Sequence, residues 1–263
     1  TAVAFAGKDD QDLQKSAWLF RIMSNSTIVD IGSHITQLAL QIGLPVQSIL
    51  KATIYEHFCG GEDLAETEPT IRALATHSVS TILDYGVEAK ESQDEFDANL
   101  EEQLQAIEFA HVNASVPYVS CKITGYAPFG LLEKLNDELP LNDEDQAALM
   151  RLESRLEKIC EAAARSDVAL YVDAEESWIQ QAIDNLVDGL MERWNREKPS
   201  VFNTMQFYRH DRLTFLKQSH EKARAGGYIL GTKLVRGAYM EKERERAKDH
   251  GYASPIHETK EAV

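Results

Sequence analysis

The stretch DVALYVDAE, residues 167–175, is continuously apolar or aromatic until it reaches Asp173. A helical pattern follows directly, because Trp178, Ala182 and Leu186 recur four residues apart. A short apolar run followed by an amphipathic helix is typical of a buried parallel strand and the helix that covers it. The stretch therefore predicts one strand-to-helix unit, with a carboxylate at the carboxyl end of its strand.

The same strand-then-helix unit occurs five times between residue 78 and the last residue. The apolar strand runs are SVSTILDYG, VPYVSCKITG, DVALYVDAE, PSVFNTMQ and YILGTKLVRG. Alternation of this kind predicts a parallel sheet covered by helices. Polar residues gather where the predicted strands end, which favours a (β/α)8 barrel enzyme. An open doubly wound sheet is disfavoured, because LDYGVEAK after the first strand contains no G-x-G-x-x-G phosphate loop.

The region before the first strand, residues 1–77, has helical patterns and no strand pattern. In residues 26–45, apolar side chains fall at helical spacing until Gly43 and Pro45 end the run. We therefore predict an α/β fold: an all-helical N-terminal region over residues 1–77, then the N-terminal part of a TIM-type (β/α)8 barrel over residues 78–263. Only five units are visible, and three more would take on the order of 100 residues. We expect a C-terminal segment or a second chain to complete the barrel.

The composition narrows the class of partner. The formal net charge of -16 disfavours nucleic acid, because phosphate binding needs a basic face.

The three cysteines, Cys59, Cys121 and Cys160, lie far apart and favour neither a disulfide framework nor a zinc site. The histidines show no metal-ligand spacing, so we expect no metal. No apolar run approaches the roughly 18 residues of a membrane span.

The polar residues at the predicted strand ends are the candidate site. Lys122 could bind a carboxylate or phosphate, or extend to solvent as an ordinary strand-end lysine. Asp173 could pair with Lys122 on the neighbouring strand, or cap the following helix. Gln206 could form hydrogen bonds with an amide or with the edge of a ring, or it could cap the helix that follows its strand. Lys233 and Arg236 have opposite strand parity, so we expect Lys233 to face the barrel interior and Arg236 to have a structural role.

Five ordered blocks together resemble the proline dehydrogenase family. They are ATIYEHFCGGE…STILDYGVEA, YVSCKITG, LYVDAEES, FNTMQFY and GTKLVRGAYMEKERERA, from about Lys51 to the last residue. The resemblance, closest to monofunctional mitochondrial and bacterial enzymes, implies a distorted (β/α)8 barrel that holds FAD. It implies oxidation of L-proline to Δ1-pyrroline-5-carboxylate by hydride transfer to flavin N5. It also implies a quinone as electron acceptor and transient peripheral membrane contact.

The resemblance assigns the substrate to three strand ends. It implies that Lys122 binds the proline carboxylate, that Asp173 supports Lys122, and that Tyr239 packs on the proline ring. These three are the expected catalytic residues. Leu234 is expected near the substrate, and Glu88 matches an acidic residue that orients a carboxylate-binding arginine.

The resemblance assigns the cofactor to the fourth and fifth strands. Gln206 and Lys233 would contact the isoalloxazine, with Lys233 near N5. The backbone around Val235 and Gly237 would line the flavin, and Gly237 with Ala238 would turn the chain beside it. A cation near flavin N1 or N5 would stabilise the charge of the reduced ring.

One departure from the family pattern concerns substrate binding. The family clamps the carboxylate with two adjacent arginines on its last barrel helix, and these 263 residues contain no adjacent arginine pair. We therefore expect the 263 residues alone to be inactive towards proline. Hydroxyproline dehydrogenase, and a non-catalytic half-barrel that needs a partner chain, are the alternatives. The resemblance implies a cytoplasmic or inner-membrane location in a bacterium, or the matrix side of the mitochondrial inner membrane in a eukaryote.

Overall fold

The computed structural model describes residues 5, 7–41, 53, 55–85 and 91–263. They divide into two compact units, Thr1–Ser80 and Thr81–Val263. The described part of the first unit is helical, in agreement with the sequence prediction. Its helices are α1 (Asp10–Met23), α2 (Ser26–Gln41), α3 (Glu56–Phe58) and α4 (Leu64–Ala75).

The second unit alternates strands and helices. Its strands are β1 (Ile82–Asp84), β2 (Tyr118–Cys121), β3 (Ala169–Val172), β4 (Val201–Gln206) and β5 (Thr232–Val235). Its helices are α5 (Gln93–His111), α6 (Phe129–Asn136), α7 (Asp143–Ser166), α8 (Ser177–Trp194), α9 (Arg212–Gly226) and α10 (Met240–His250).

The five strands form one parallel sheet in the order β1-β2-β3-β4-β5. Each strand pairs with the next strand along the chain, and at least one helix follows every strand. A doubly wound sheet reverses its strand order at a switch point, and this sheet does not. The arrangement is that of consecutive units of a β/α barrel, which confirms the predicted fold class.

Local sequence signals explain where the long helices begin. Asn142 accepts a hydrogen bond from the Asp145 N–H at the start of α7, and the Asp145 carboxylate accepts one from the Asn142 N–H. Ser92 and Glu95 form the same reciprocal capping box on α5. Each box satisfies donors that a helix N-terminus leaves unpaired.

The two faces of the sheet carry different chemistry. One cross-sheet row of fully buried apolar side chains supports the helix layer: Leu83, Val119, Leu170 and Val201. Asn203, two residues after Val201, donates to Asp184 on α8, so this row faces the helices. Alternation places Phe202, Thr204 and Gln206 on the opposite face. The candidate site lies on that second face.

Within the described ranges, no helix is long and apolar enough to span a bilayer. The same ranges hold no group of three His, Cys, Asp or Glu side chains that could bind a metal ion.

Candidate active site

The candidate site begins with a row of polar residues across four strands. Cys121 pairs with Val172, and Asn203 pairs with Val172 and with Thr232. The Asp173 N–H donates to the Cys121 carbonyl, so the β2–β3 ladder extends one residue beyond the strands. The residues one step further along each chain therefore lie side by side: Lys122, Asp173, Thr204 and Lys233. We call these four residues the charged row.

Asp173 is the centre of the charged row. Lys233 Nζ donates a 2.6 Å hydrogen bond to Asp173 Oδ1, and Lys122 Nζ lies 3.7 Å from Asp173 Oδ2. The side chains of Lys122 and Asp173 are each 15% exposed, and that of Lys233 is 28% exposed. One carboxylate between two ammonium groups leaves a local charge of +1, which suits an anionic ligand. The ion pair predicted between Lys122 and Asp173 is present.

The structure excludes the simpler roles that the sequence left open for Lys122 and Asp173. Lys122 does not extend to solvent, because its side chain is largely buried beside Asp173. Asp173 does not cap the following helix, because the N-cap of α8 is Glu176. Gln206 likewise does not cap α9, whose N-cap is Asp211.

Lys233 lies deeper in the sheet than a strand end. It is the second residue of β5 and pairs with Thr204, and Val235 ends the strand. Its long side chain nevertheless reaches Asp173, and its ammonium lies 5.3 Å from the centre of the Tyr171 ring. Tyr171 stacks on Tyr118 at 4.8 Å, so an aromatic floor lies beneath the charged row.

Thr204 is a member of the row that sequence reasoning missed. It is 3% exposed, and among the described residues its hydroxyl has no hydrogen-bond partner. The signal was present in FNTMQ, where a polar side chain precedes Gln206 by two residues and therefore shares its face.

Above the charged row, Gln206 links the tips of three strands. Its Nε2 donates to the Glu175 carbonyl at 2.8 Å, and its Oε1 accepts from the Ala238 N–H at 2.9 Å. The amide orientation is therefore fixed by the backbone on both sides. Counted over the residues that the structure describes, one N–H and one lone pair of this amide remain for a ligand.

The backbone at Gly237 lies against the Tyr208 ring, and its predicted approach to a flavin stays a prediction. Its φ is +143°, a conformation that side chains disfavour. A Cβ at this position would lie 2.4 Å from the Tyr208 ring. The ring of Tyr208 therefore occupies the space that any other residue at position 237 would need.

A cavity of about 890 Å³ opens beside this turn. Gly237, Ala238 and Tyr239 line it, together with several basic side chains. Those basic residues are Arg236, Lys242, Arg244 and Lys260, and two acidic residues, Glu241 and Glu258, also line the cavity. Lys242 also lies 5.3 Å from the centre of the Tyr239 ring. A large cavity with cations on its wall suits an anionic, partly flat ligand.

The predicted site residues are not all brought together. Val235 pairs with Gln206 and shares the face of Lys233. Leu234 has the opposite parity, pairs with Met205, and is 59% exposed. Arg236 lies beyond the end of β5, exposed on the cavity wall. Glu88 lies outside the described residues.

Comparison with known proteins identifies the family. The family model described as "Proline dehydrogenase" matches residues 67–263. The carbapenem antibiotics biosynthesis protein CarD of Pectobacterium carotovorum is 32% identical over 198 residues, covering 75% of this chain and 53% of that protein. Mitochondrial proline dehydrogenase 2 of Arabidopsis thaliana is 27% identical over 299 residues, covering 97% of this chain and 63% of that protein.

The fold has a counterpart among solved structures. Proline utilization A from Bdellovibrio bacteriovorus, inactivated by N-propargylglycine, superposes with a TM-score of 0.69. The two chains share 17% identity, and the match covers 98% of this chain and 28% of that one. The chain spans between about half and two thirds of the length of the two curated relatives above. Because the family model matches about three quarters of it, this chain belongs to the proline dehydrogenase family.

Proposed function

We propose that the protein to which this chain belongs oxidises L-proline to Δ1-pyrroline-5-carboxylate, with FAD as cofactor and a quinone as electron acceptor. The observation that carries the proposal is the charged row, in which Asp173 lies between two lysines. It provides a net positive, partly buried site for a small carboxylate. The cation-lined cavity beside Gly237 adds room for a large anionic cofactor.

In this proposal Lys122 binds the proline carboxylate. Asp173 keeps Lys122 charged and directs its ammonium group, since a nearby carboxylate favours the protonated lysine. Tyr239 supplies a flat face for the pyrrolidine ring. Leu234 and Glu88 stay assigned to substrate binding by resemblance, and Leu234 would have to be reached from the opposite face of β5.

The residues at this edge of the sheet fit FAD. Counted over the described residues, Gln206 has one N–H and one lone pair left for a heteroaromatic edge, and the backbone of Gly237 and Ala238 lies beside it on the cavity wall. Lys233 would lie near flavin N5, the atom that accepts the hydride, and the backbone at Val235 would line the ring. The basic cavity wall suits a diphosphate. When bound, FAD supplies the hydride acceptor.

The location follows from the proposed acceptor. A quinone dissolves in the membrane, so the protein would make transient peripheral contact with it. The proposal places it in the cytoplasm or on the inner membrane of a bacterium, or on the matrix side of the mitochondrial inner membrane.

Anaerobic bleaching of flavin absorbance by proline in the full-length protein tests this proposal. We expect L-proline to bleach the flavin and Lys122→Met to raise the proline concentration needed by at least tenfold. Hydroxyproline, tested in parallel, separates the alternative substrate. A protein that is purified with bound flavin and is bleached by neither amino acid would contradict the proposal, and absence of flavin would favour the non-catalytic half-barrel.

A further inference from the structure

Glu175 is a buried carboxylate directly above the charged row. It follows Asp173 by two residues, lies in the connection between β3 and α8, and is 2% exposed. Its Oε1 accepts the Thr124 N–H at 3.1 Å, and its Oε2 accepts the Thr124 hydroxyl. Thr124 belongs to the 3-10 turn Ile123–Gly125, which begins immediately after Lys122. The carboxylate therefore joins the tip of β3 to the tip of β2.

The backbone of Glu175 is held as firmly as its side chain. Its N–H donates to Gln180 Oε1 at 2.8 Å, and its carbonyl accepts from Gln206 at 2.8 Å. Gln180 cannot reverse its amide, because its Nε2 donates to the Asp184 carboxylate at 2.9 Å, and a carboxylate only accepts. These bonds form one chain from α8 through Glu175 and Gln206 to Ala238.

We propose that Glu175 is a positioning residue for substrate binding: by clamping Thr124, its carboxylate fixes the turn that directs Lys122 towards the substrate carboxylate. This inference rests on the proposed role of Lys122. Lys122 is the N-cap residue of the turn, and its backbone carbonyl accepts a hydrogen bond from the Gly125 N–H at 3.1 Å. A shift of the turn would therefore shift the start of the Lys122 side chain.

The choice of residue type supports the inference. Thr124 presents an N–H and a hydroxyl, and the two oxygens of the Glu175 carboxylate accept from both at once. A glutamine of the same size can keep both contacts, because its Oε1 accepts from the N–H and its Nε2 donates to the hydroxyl, whereas leucine keeps neither. Burial raises the pKa of Glu175 to about 7, against the opposing effect of the two Thr124 hydrogen bonds and of Lys122. A buried carboxylate is costly, so its presence indicates a need for its acceptor geometry.

The test compares Glu175→Leu with two variants of its partner in the full-length protein. We expect E175L, which removes both contacts, to raise KM for proline about tenfold and to change kcat less than about twofold. Thr124→Val, which loses only the hydroxyl, should raise KM about threefold, and Thr124→Ser should leave it unchanged. The double variant E175L/T124V should be no worse than E175L, because both changes remove the same clamp.

Asn195 offers a matched control at the opposite end of the sheet. It accepts from the Ser200 and Val201 N–H groups and donates to the Val201 and Ile229 carbonyls, at the amino end of β4. Asn195→Ala should lower the melting temperature without changing KM. If this variant is less stable but keeps the wild-type KM, a general loss of stability does not by itself weaken proline binding. A raised KM in the Glu175 variant then reports a displaced Lys122.

Hydrogen–deuterium exchange provides a readout independent of turnover. The Thr124 amide should exchange faster in E175L than in the wild type, and peptides around Asn195 should not change. If KM stays at the wild-type value in E175L while the wild type oxidises proline, the positioning role is wrong and the proposed function stands. If the flavin-loaded wild type does not oxidise proline or hydroxyproline, both fail together. Should E175L not fold, a comparison of T124V with T124S decides the same question.

Discussion

Replacing Asp173 by asparagine removes the only acidic member of the charged row while keeping its shape. In the wild type, Asp173 receives a 2.6 Å hydrogen bond from Lys233 and lies 3.7 Å from the Lys122 ammonium. The asparagine carbonyl oxygen can still accept from one lysine. It cannot balance the charge of two, so D173N removes the carboxylate that the two partly buried lysines share.

The cost of this change follows from the two contacts. Lys233 keeps its charge in D173N, so its bond to the asparagine oxygen stays charge-assisted, and the loss of the ion pair itself costs about 1 kcal/mol at this partial exposure. The longer contact to Lys122 and the repulsion between the two lysines add about 1 kcal/mol after screening at this partial exposure. The sum, about 2 kcal/mol, lowers the melting temperature of a unit of this size by about 4–8 °C.

Chemical and thermal unfolding of the full-length protein check this value against two further variants. D173N/K122M removes one cation with the anion and should recover about half of the lost stability. Asp167→Asn is the control, because the pair of Asp167 with Lys198 is largely exposed and asparagine tolerates the left-handed conformation at this helix end. D167N should change stability by less than about 0.5 kcal/mol. If D173N is as stable as D167N, or if K122M deepens its defect, the charge argument is refuted.

Three further predictions concern the same face of the sheet. Gly237→Ala should destabilise the fold by about 3 kcal/mol in urea unfolding, because it adds backbone strain and a clash with Tyr208, whereas Gly251→Ala has strain alone and should cost about 1. Thr204→Val should be neutral or stabilising by up to about 1 kcal/mol, since it removes a buried hydroxyl without a described partner; a clear loss of stability would reveal a partner such as a bound water. Because the pKa of Glu175 is raised to about 7 in the fold, the folded state holds this proton more tightly than the unfolded chain, and stability should fall by on the order of 3 kcal/mol from about pH 4.5 to above pH 7. E175Q should lose that part of the pH dependence, and parallel pH profiles for the two proteins would contradict the assignment.

The strand-to-helix order could be predicted from sequence because each strand is a short apolar run that ends on a polar residue. The pairing of Lys122 with Asp173 also followed, since consecutive parallel strands place their ends together. The stronger contact, from Lys233 to Asp173, did not follow. Those residues lie on strands separated by β4, and their level is set by the two intervening registers. Sequence periodicity predicts which face of the sheet a side chain lies on. It does not predict which residues of separated strands lie side by side, because that depends on the register of each strand pair.

The role of Glu175 was missed for a related reason. In LYVDAEES the second carboxylate resembles an ordinary acidic residue ahead of a helix, which favours such residues through its dipole. Only the structure shows that Glu175 lies two positions above Asp173 and meets Thr124, which lies two positions above Lys122. The site is therefore built in layers: an aromatic floor, a charged row, and a hydrogen-bonded layer of Thr124, Glu175 and Gln206 above it. Each layer limits the movement of the next, and this explains how a buried, costly carboxylate can serve a binding site that it does not itself enter.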